Sequence, residues 1–278
     1  MREALCESSS LGRREDKKVA HQYFFAATAL PPLQLAMTPE TSFLELMEFL
    51  KTNLHKSDFE QVQALRRYYD VENVRALLLG KPLDERGSFS AFELEEVLHG
   101  VDGAPPYFEE FYSSYESDES RLRHFAHLIA LYFAWEIDHS SGFLRRYLQF
   151  ERSWRLVATA IRAKLTHRPL LVELQFEEPS DPLVAFLIAQ KEGSQIEPPA
   201  GLEPLKHLFH EHSDDPLALE RALCAWRFEK IEELLGVELF SIGRILGYVA
   251  QLITVEKWLS FDKKEGLHRI HTTLKEAS

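Results

Sequence analysis

Apolar residues recur at helical spacing along most of the chain, and this pattern limits the possible folds more than any other feature. The stretch SFLELMEFLKTNL is typical, because it places Phe43, Leu46, Met47 and Leu50 on one face of a helix. The same spacing predicts further helices at 58–68, 71–80, 89–99, 119–137, 141–165, 215–235 and 239–259. We therefore expect an all-α protein made of helical bundles.

Strand signals are scarce. The run LLVELQF at 170–176, between Pro169 and Pro179, has strand character but fits an extended linker equally well. Turn-forming residues cluster at 99–106, 169–182 and 192–201, where we expect the helical units to be divided. Similar arginine-rich, aromatic segments at 65–81 and 143–164 suggest a weak internal repeat.

Charge and cysteine content exclude several classes of protein. The formal net charge of -12 and the isoelectric point of about 5.5 oppose binding to phosphate backbones, so we expect no nucleic-acid partner. With only Cys6 and Cys224, the chain has no disulfide framework, which fits a reducing cytoplasm. The most apolar segment, at 245–255, is shorter than the roughly 20 residues of a membrane-spanning helix.

The stretch YYDVENVRALLLGK at 68–81 contains two polar residues between aromatic and apolar runs. We interpret Asp70 as an N-cap that accepts the backbone N–H of Asn73, so that a helix begins at Val71. The helix would then end at Gly80, with Pro82 just beyond it. This interpretation gives Asp70 and Asn73 a structural role.

The chain lacks the familiar catalytic signatures, including a phosphate-binding loop, G-x-S-x-G, H-E-x-x-H and paired C-x-x-C. We therefore expect no enzyme activity and no cofactor. One chemical alternative remains, a di-metal carboxylate site in a helical bundle, because Glu-x-x-His pairs from two helices are part of such sites. The candidate pairs are Glu96 with His99, Glu136 with His139, and Glu265 with His268.

The segment at 145–168 is strongly basic, whereas the segment at 107–120 is acidic and aromatic. Two interpretations of the basic segment stay open. It is either a solvated helix with ordinary i,i+4 partners, or a patch that meets an acidic protein or anionic lipid headgroups. The arginines of this predicted interface are Arg145, Arg146, Arg152, Arg155 and Arg162, and Trp154 among them is either a core residue or an interface anchor.

In four places, in order along the chain, the sequence resembles the C/d family of the V/A-type ATPases, which supplies the central-rotor socket of these enzymes. The resemblance is to a divergent bacterial branch of that family. It is carried by YFFAATALPPLQL at 23–35, YYDVENVRALLLGK at 68–81, FLRRYLQFERSWRLVATAIRAK at 143–164, and the long segment at 219–266. Trp154 departs from the pattern, because the second copy of the motif is expected to carry Asn at that place.

The resemblance implies a central-rotor component without catalysis of its own. Members of that family are funnel-shaped, with three similar bundles around a pseudo-threefold axis, on the cytoplasmic face of the membrane. They link the central shaft to the proteolipid ring and transmit torque for ion transport. On this basis we predict a disordered leader at 1–20 and bundles at 21–104, 105–180 and 181–278, the last with a long C-terminal helix pair. Asp70 and Asn73 would then fix a repeated helix junction.

Overall fold

The computed structural model describes residues 21–100 and 104–276, with side chains described as far as residue 261. Within these ranges the regular structure is helical and no strand occurs, which confirms the all-α class. The predicted leader and the side chains of Glu265 and His268 lie outside the described residues. The helices are α1 Phe24–Ala29, α2 Phe43–Asn53, α3 Lys56–Leu78, α4 Ala91–Leu98, α5 Tyr107–Ser113, α6 Asp118–Arg123, α7 Phe125–Asp138, α8 Gly142–Leu165, α9 Leu170–Glu173, α10 Pro182–Ile188, α11 Pro204–Glu211, α12 Pro216–Leu234 and α13 Ile242–Glu276.

Three helix boundaries differ from those that the sequence pattern predicts. The predicted helices at 58–68 and 71–80 are one continuous helix, α3. The predicted helix at 119–137 is divided, because His124 leaves the helical conformation between α6 and α7. The segment at 170–176, for which a strand and a linker were both open, begins instead with the short helix α9.

The helices surround two hydrophobic clusters. The first cluster contains buried residues of α2 to α5, α7 and α13, together with the first part of α8. The second contains the later part of α8 and residues of α9 to α12. Because α8 contributes Leu148 to the first cluster and Trp154 to the second, it connects the two. The three-bundle division, the repeats and the funnel shape stay predictions.

Local capping fixes the ends of several helices. Ser42 and Glu45 form a reciprocal capping box at the start of α2, and Ser90 and Glu93 form another at the start of α4. These pairs satisfy N–H groups that have no partner inside the helix. In the part of the chain that the structure describes, no helix combines the length and the apolar character needed to cross a membrane.

Candidate functional site

Asp70 lies in the interior of α3 and is completely buried, so the prediction that it caps a helix beginning at Val71 is wrong. The N-cap of α3 is His55, fifteen positions earlier along the chain. The Asp70 carboxylate points across to the connection between α3 and α4. Its Oδ1 accepts the backbone N–H of Ser88 at 2.6 Å and that of Phe89 at 3.2 Å.

Asn73 holds the same connection through both groups of its side-chain amide. Its Oδ1 accepts the N–H of Asp84 at 2.7 Å, and its Nδ2 donates to the carbonyl of Asp84 at 3.0 Å. Asp70 and Asn73 are three residues apart, and they therefore lie on one face of α3. Together they fix the connection that covers residues 79–90, which we call the α3–α4 connection.

Gly87 is required by this arrangement, although the sequence pattern did not single it out. A Cβ at this position would lie 2.4 Å from Asn73 Nδ2 and 2.7 Å from Asp70 Oδ1. The backbone can approach the two side chains so closely only because Gly87 has no side chain. The available signal was a glycine ahead of the capping-box serine, in the stretch ERGSFS.

Arginines complete the fastening of the α3–α4 connection. Arg66 donates from Nε to the carbonyl of Arg86 at 2.8 Å and from Nη2 to that of Gly87 at 2.7 Å. Arg86 stacks its guanidinium on the Tyr69 ring and pairs with Glu256 of α13 at 3.0 Å. Since Glu256 also accepts the N–H of Phe43, the connection is tied to both α2 and α13.

The environment of Asp70 perturbs its titration. Burial raises the pKa of the Asp70 carboxyl group to about 6, against the opposing effect of the two backbone N–H donors. Its second oxygen, Oδ2, is buried and has no hydrogen-bond partner among the residues that the structure describes. Asp70 is thus a buried acid with one satisfied oxygen, held against a backbone segment.

The five arginines of the predicted interface lie in three different settings. Arg145 and Arg146 are exposed near the start of α8. Arg152 and Arg162 pair with acidic side chains of the same chain, Arg152 with Glu177 and Asp181 and Arg162 with Glu220. They do not form one unpaired basic surface.

Arg155 belongs to a buried ion network. Its guanidinium pairs with Glu151, whose other oxygen accepts two hydrogen bonds from Arg227 of α12 at 2.7 and 3.0 Å. The side chains of Glu151 and Arg227 are each 4% exposed. Burial alone would raise the pKa of Glu151, but the Arg155 and Arg227 guanidinium groups lower it to about 2. Trp154 is buried beside this network and donates its indole N–H to Glu151, so it is a core residue.

The residues of the di-metal alternative do not come together. Glu136 is buried and gives both oxygens to Arg67, at 2.6 and 2.9 Å, while Tyr107 donates to Oε1. His139 follows the end of α7 and stacks on Trp135. Glu96 and His99 line a separate groove at α4. No group of three or more His, Cys, Asp or Glu side chains that could hold a metal ion occurs among residues 21–100 and 104–261.

Comparison with known proteins gives a family without an assigned activity. Residues 20–278 match the family described as "Protein of unknown function (DUF2764)". The chain belongs to this family. It is also 25% identical over 255 residues to a Chlamydia trachomatis protein described as uncharacterized, covering 89% of this chain and 96% of that one. A Chlamydia pneumoniae relative with the same description is 28% identical over 235 residues, covering 82% of this chain and 88% of its own length. No solved structure matches the chain.

Proposed function

We propose that this DUF2764 protein is a non-catalytic central-rotor component of a V/A-type ATPase, of the C/d family. In this role it would link the central shaft to the membrane proteolipid ring and transmit torque for ion transport. The ordered resemblance at 23–35, 68–81, 143–164 and 219–266 motivates the proposal. The protein would act on the cytoplasmic face of the inner membrane, held there through the complex.

The observation that supports the proposal best is the use of the buried polar residues. Asp70, Asn73, Glu136 and Glu151 each bind groups of other segments of the chain, at sequence distances of 11 to 76 residues. Charge-assisted hydrogen bonds inside a dense core resist relative movement of the helices that they join. A part that transmits torque needs this stiffness, because a compliant joint would absorb the rotation.

The proposal is tested by affinity purification of the tagged protein from gently solubilised membranes of its native host, followed by quantitative mass spectrometry. We expect the catalytic head, the shaft and the proteolipid ring of the ATPase in fixed stoichiometry with the bait. Recovery of the protein alone, from membranes in which the ATPase is intact, would contradict the proposal.

The two exposed arginines allow a finer test of the interface. Because Arg155 is buried in an ion network, its reversal would disturb the fold, so the variant is restricted to Arg145→Glu and Arg146→Glu. If these arginines contact the rotor, this double variant should recover less of the ATPase at unchanged thermal stability. A matched control is the reversal of the exposed Lys51 and Lys56. Equal recovery with both variants would remove Arg145 and Arg146 from the interface.

A further inference from the structure

A groove lies where the end of α3 meets α4, α5 and the start of α6. It has a volume of about 420 Å³, and its apolar lining includes Leu77, Leu78 and Leu98. Phe92 of α4 stands at its edge and is 69% exposed. Such an exposed aromatic residue beside a concave apolar surface is typical of a place where a partner inserts apolar side chains. We call this feature the α4 groove.

The rim of the α4 groove carries negative charge that the chain does not neutralise. Glu95 and Glu96 line the groove from α4, and the carboxylate of Glu109 lies against Gly100 just past the end of that helix. None of these three glutamates has an ion-pair partner in the described part of the chain. Asp118 is different, because it pairs with Arg121 at 2.7 Å.

This lack of neutralisation distinguishes the α4 groove from the helix-fastening sites of the structure. The acids that fasten helices elsewhere, such as Glu136 and Glu151, each face one or two arginines. Glutamates beside an exposed apolar surface, by contrast, present an electrostatic potential that a cationic partner would complement.

One wall of the groove is held in a fixed position. The Tyr112 ring packs edge-on against His99, with 4.9 Å between ring centroids, and the Arg121 guanidinium lies over the same ring at 3.6 Å. Arg121 also donates to the Tyr112 carbonyl from Nε and Nη2. A wall that is already ordered lowers the entropy cost of binding, since little has to be immobilised when a partner arrives.

We propose that the α4 groove binds a basic amphipathic helix of a partner protein. Apolar side chains at i and i+4 of that helix would lie on Leu77, Leu78 and Phe92, and its lysines or arginines would face Glu95 and Glu96. The same glutamates repel nucleic acid and anionic lipid headgroups, which argues against those two partners. The inference does not depend on the rotor role, because it rests on the shape and charge of this groove alone.

The probe is a fluorescently labelled synthetic helix of leucine and lysine, about four turns long, with the leucines on one face. Its binding to the full chain is measured by fluorescence anisotropy at low and high salt. A peptide of the same composition in scrambled order has the same charge but no apolar face. We expect the amphipathic peptide to bind at least about tenfold more tightly than the scrambled one.

The groove variant combines Phe92→Ala, Glu95→Gln and Glu96→Gln, and we expect it to weaken binding of the amphipathic peptide about tenfold. A matched control combines Leu44→Ala, Glu48→Gln and Glu60→Gln, which removes the same charge and one exposed apolar side chain elsewhere. The control should bind like the wild type. Equal weakening in both variants, or equal binding of both peptides, would overturn the proposal, since net charge alone would then explain the affinity.

A second measurement places the peptide on the surface without relying on loss of binding. A photoreactive phenylalanine analogue is introduced at position 92 in one protein and at position 44 in another. We expect cross-linking of the amphipathic peptide from position 92 and little from position 44. Cross-linking from position 44 at the same yield would show that the peptide does not select the α4 groove.

Discussion

A carboxylate in the middle of a helix needs donors from outside that helix, because the local N–H groups already bind carbonyls of the preceding turn. Asp70 meets this requirement with the N–H groups of Ser88 and Phe89, and Asn73 adds both groups of its amide against Asp84. The side chains thus satisfy backbone groups of a segment that has no regular structure. This explains how residues 79–90 pack against α3 without a ladder of their own.

Substitution of Asp70 should separate the effect of its hydrogen bonds from that of its charge. Asp70→Ala leaves two backbone N–H groups without their acceptor, so we expect the free energy of unfolding to fall by about 2 kcal/mol. Asp70→Asn retains an acceptor and removes a buried charge, so at pH 7.5 its stability should equal or exceed that of the wild type. Urea denaturation measures both values. Equal losses in the two variants would contradict this assignment.

The raised pKa of Asp70 predicts a specific pH dependence. Between the unfolded value near 3.8 and the folded value of about 6, the folded state binds more protons than the unfolded state. The contribution of Asp70 to stability therefore falls as pH rises through this window, by about 3 kcal/mol in all, and is constant above it. The advantage of Asp70→Asn over the wild type should accordingly shrink as pH is lowered from 7 to 4. A difference independent of pH would exclude a raised pKa.

Gly87 should tolerate no side chain, even though its backbone conformation is one that other residues adopt. Gly87→Ala forces the connection away from Asp70 and Asn73, and we expect a loss of about 1–3 kcal/mol in the free energy of unfolding. Gly236→Ala is the control, because a Cβ there meets nothing within 4 Å. Thermal unfolding of the two variants measures the difference. If they behave alike, the close approach at Gly87 is not required for stability.

At the scale of helices, periodicity predicted most elements because it depends on residues three or four apart. The apolar face of α2 and the extent of α8 needed only that local information. The boundary at Asp70 was misassigned for a physical reason. An Asp followed three residues later by Asn has the pattern of a cap, and the N–H donors that decide its role lie 18 and 19 residues further along the chain.

The candidate site was less predictable than the fold for the same reason. The sequence singled out Asp70 and Asn73 correctly as structural residues, but their partners in the α3–α4 connection are set by tertiary packing. The arginine-rich pattern of α8 did not distinguish the exposed Arg145 from Arg152, whose acidic partners are 25 and 29 residues away. Pairing over such distances leaves no local periodic signal.

Arg152 should fasten the segment between α9 and α10 to α8. It donates to Glu177 from Nε and Nη2 and to Asp181 from Nη1, with its side chain mostly buried. We expect Arg152→Leu to lower the free energy of unfolding by about 1–2 kcal/mol and to speed amide hydrogen exchange at 174–181. Arg145→Leu, on the exposed face of the same helix, is the control and should change neither. Unchanged exchange in Arg152→Leu would mean that this ion pair does not order the segment.

At the scale of the whole molecule, α8 and α12 are elements that pass from one hydrophobic cluster to the other. Leu148 and Ile231 belong to the first cluster, whereas Trp154 and Trp226 belong to the second. Glu151 lies between the two parts of α8 and is bound by Arg227 of α12. The ion network therefore joins the two connecting helices at the level where the clusters meet, which would couple their unfolding.

Removal of Glu151 should test that coupling. Glu151→Ala leaves Arg155 and Arg227 buried without their counter-ion, so we expect a loss of about 3–5 kcal/mol in the free energy of unfolding. If the network couples the clusters, amide exchange should show one common opening free energy in the wild type and two in this variant, the lower one for α9 to α11. Replacing Glu151, Arg155 and Arg227 together with methionine removes the unpaired charges and should restore most of the stability. A triple variant no more stable than Glu151→Ala would show that the interactions of the arginines, and not the unpaired charges, account for the loss.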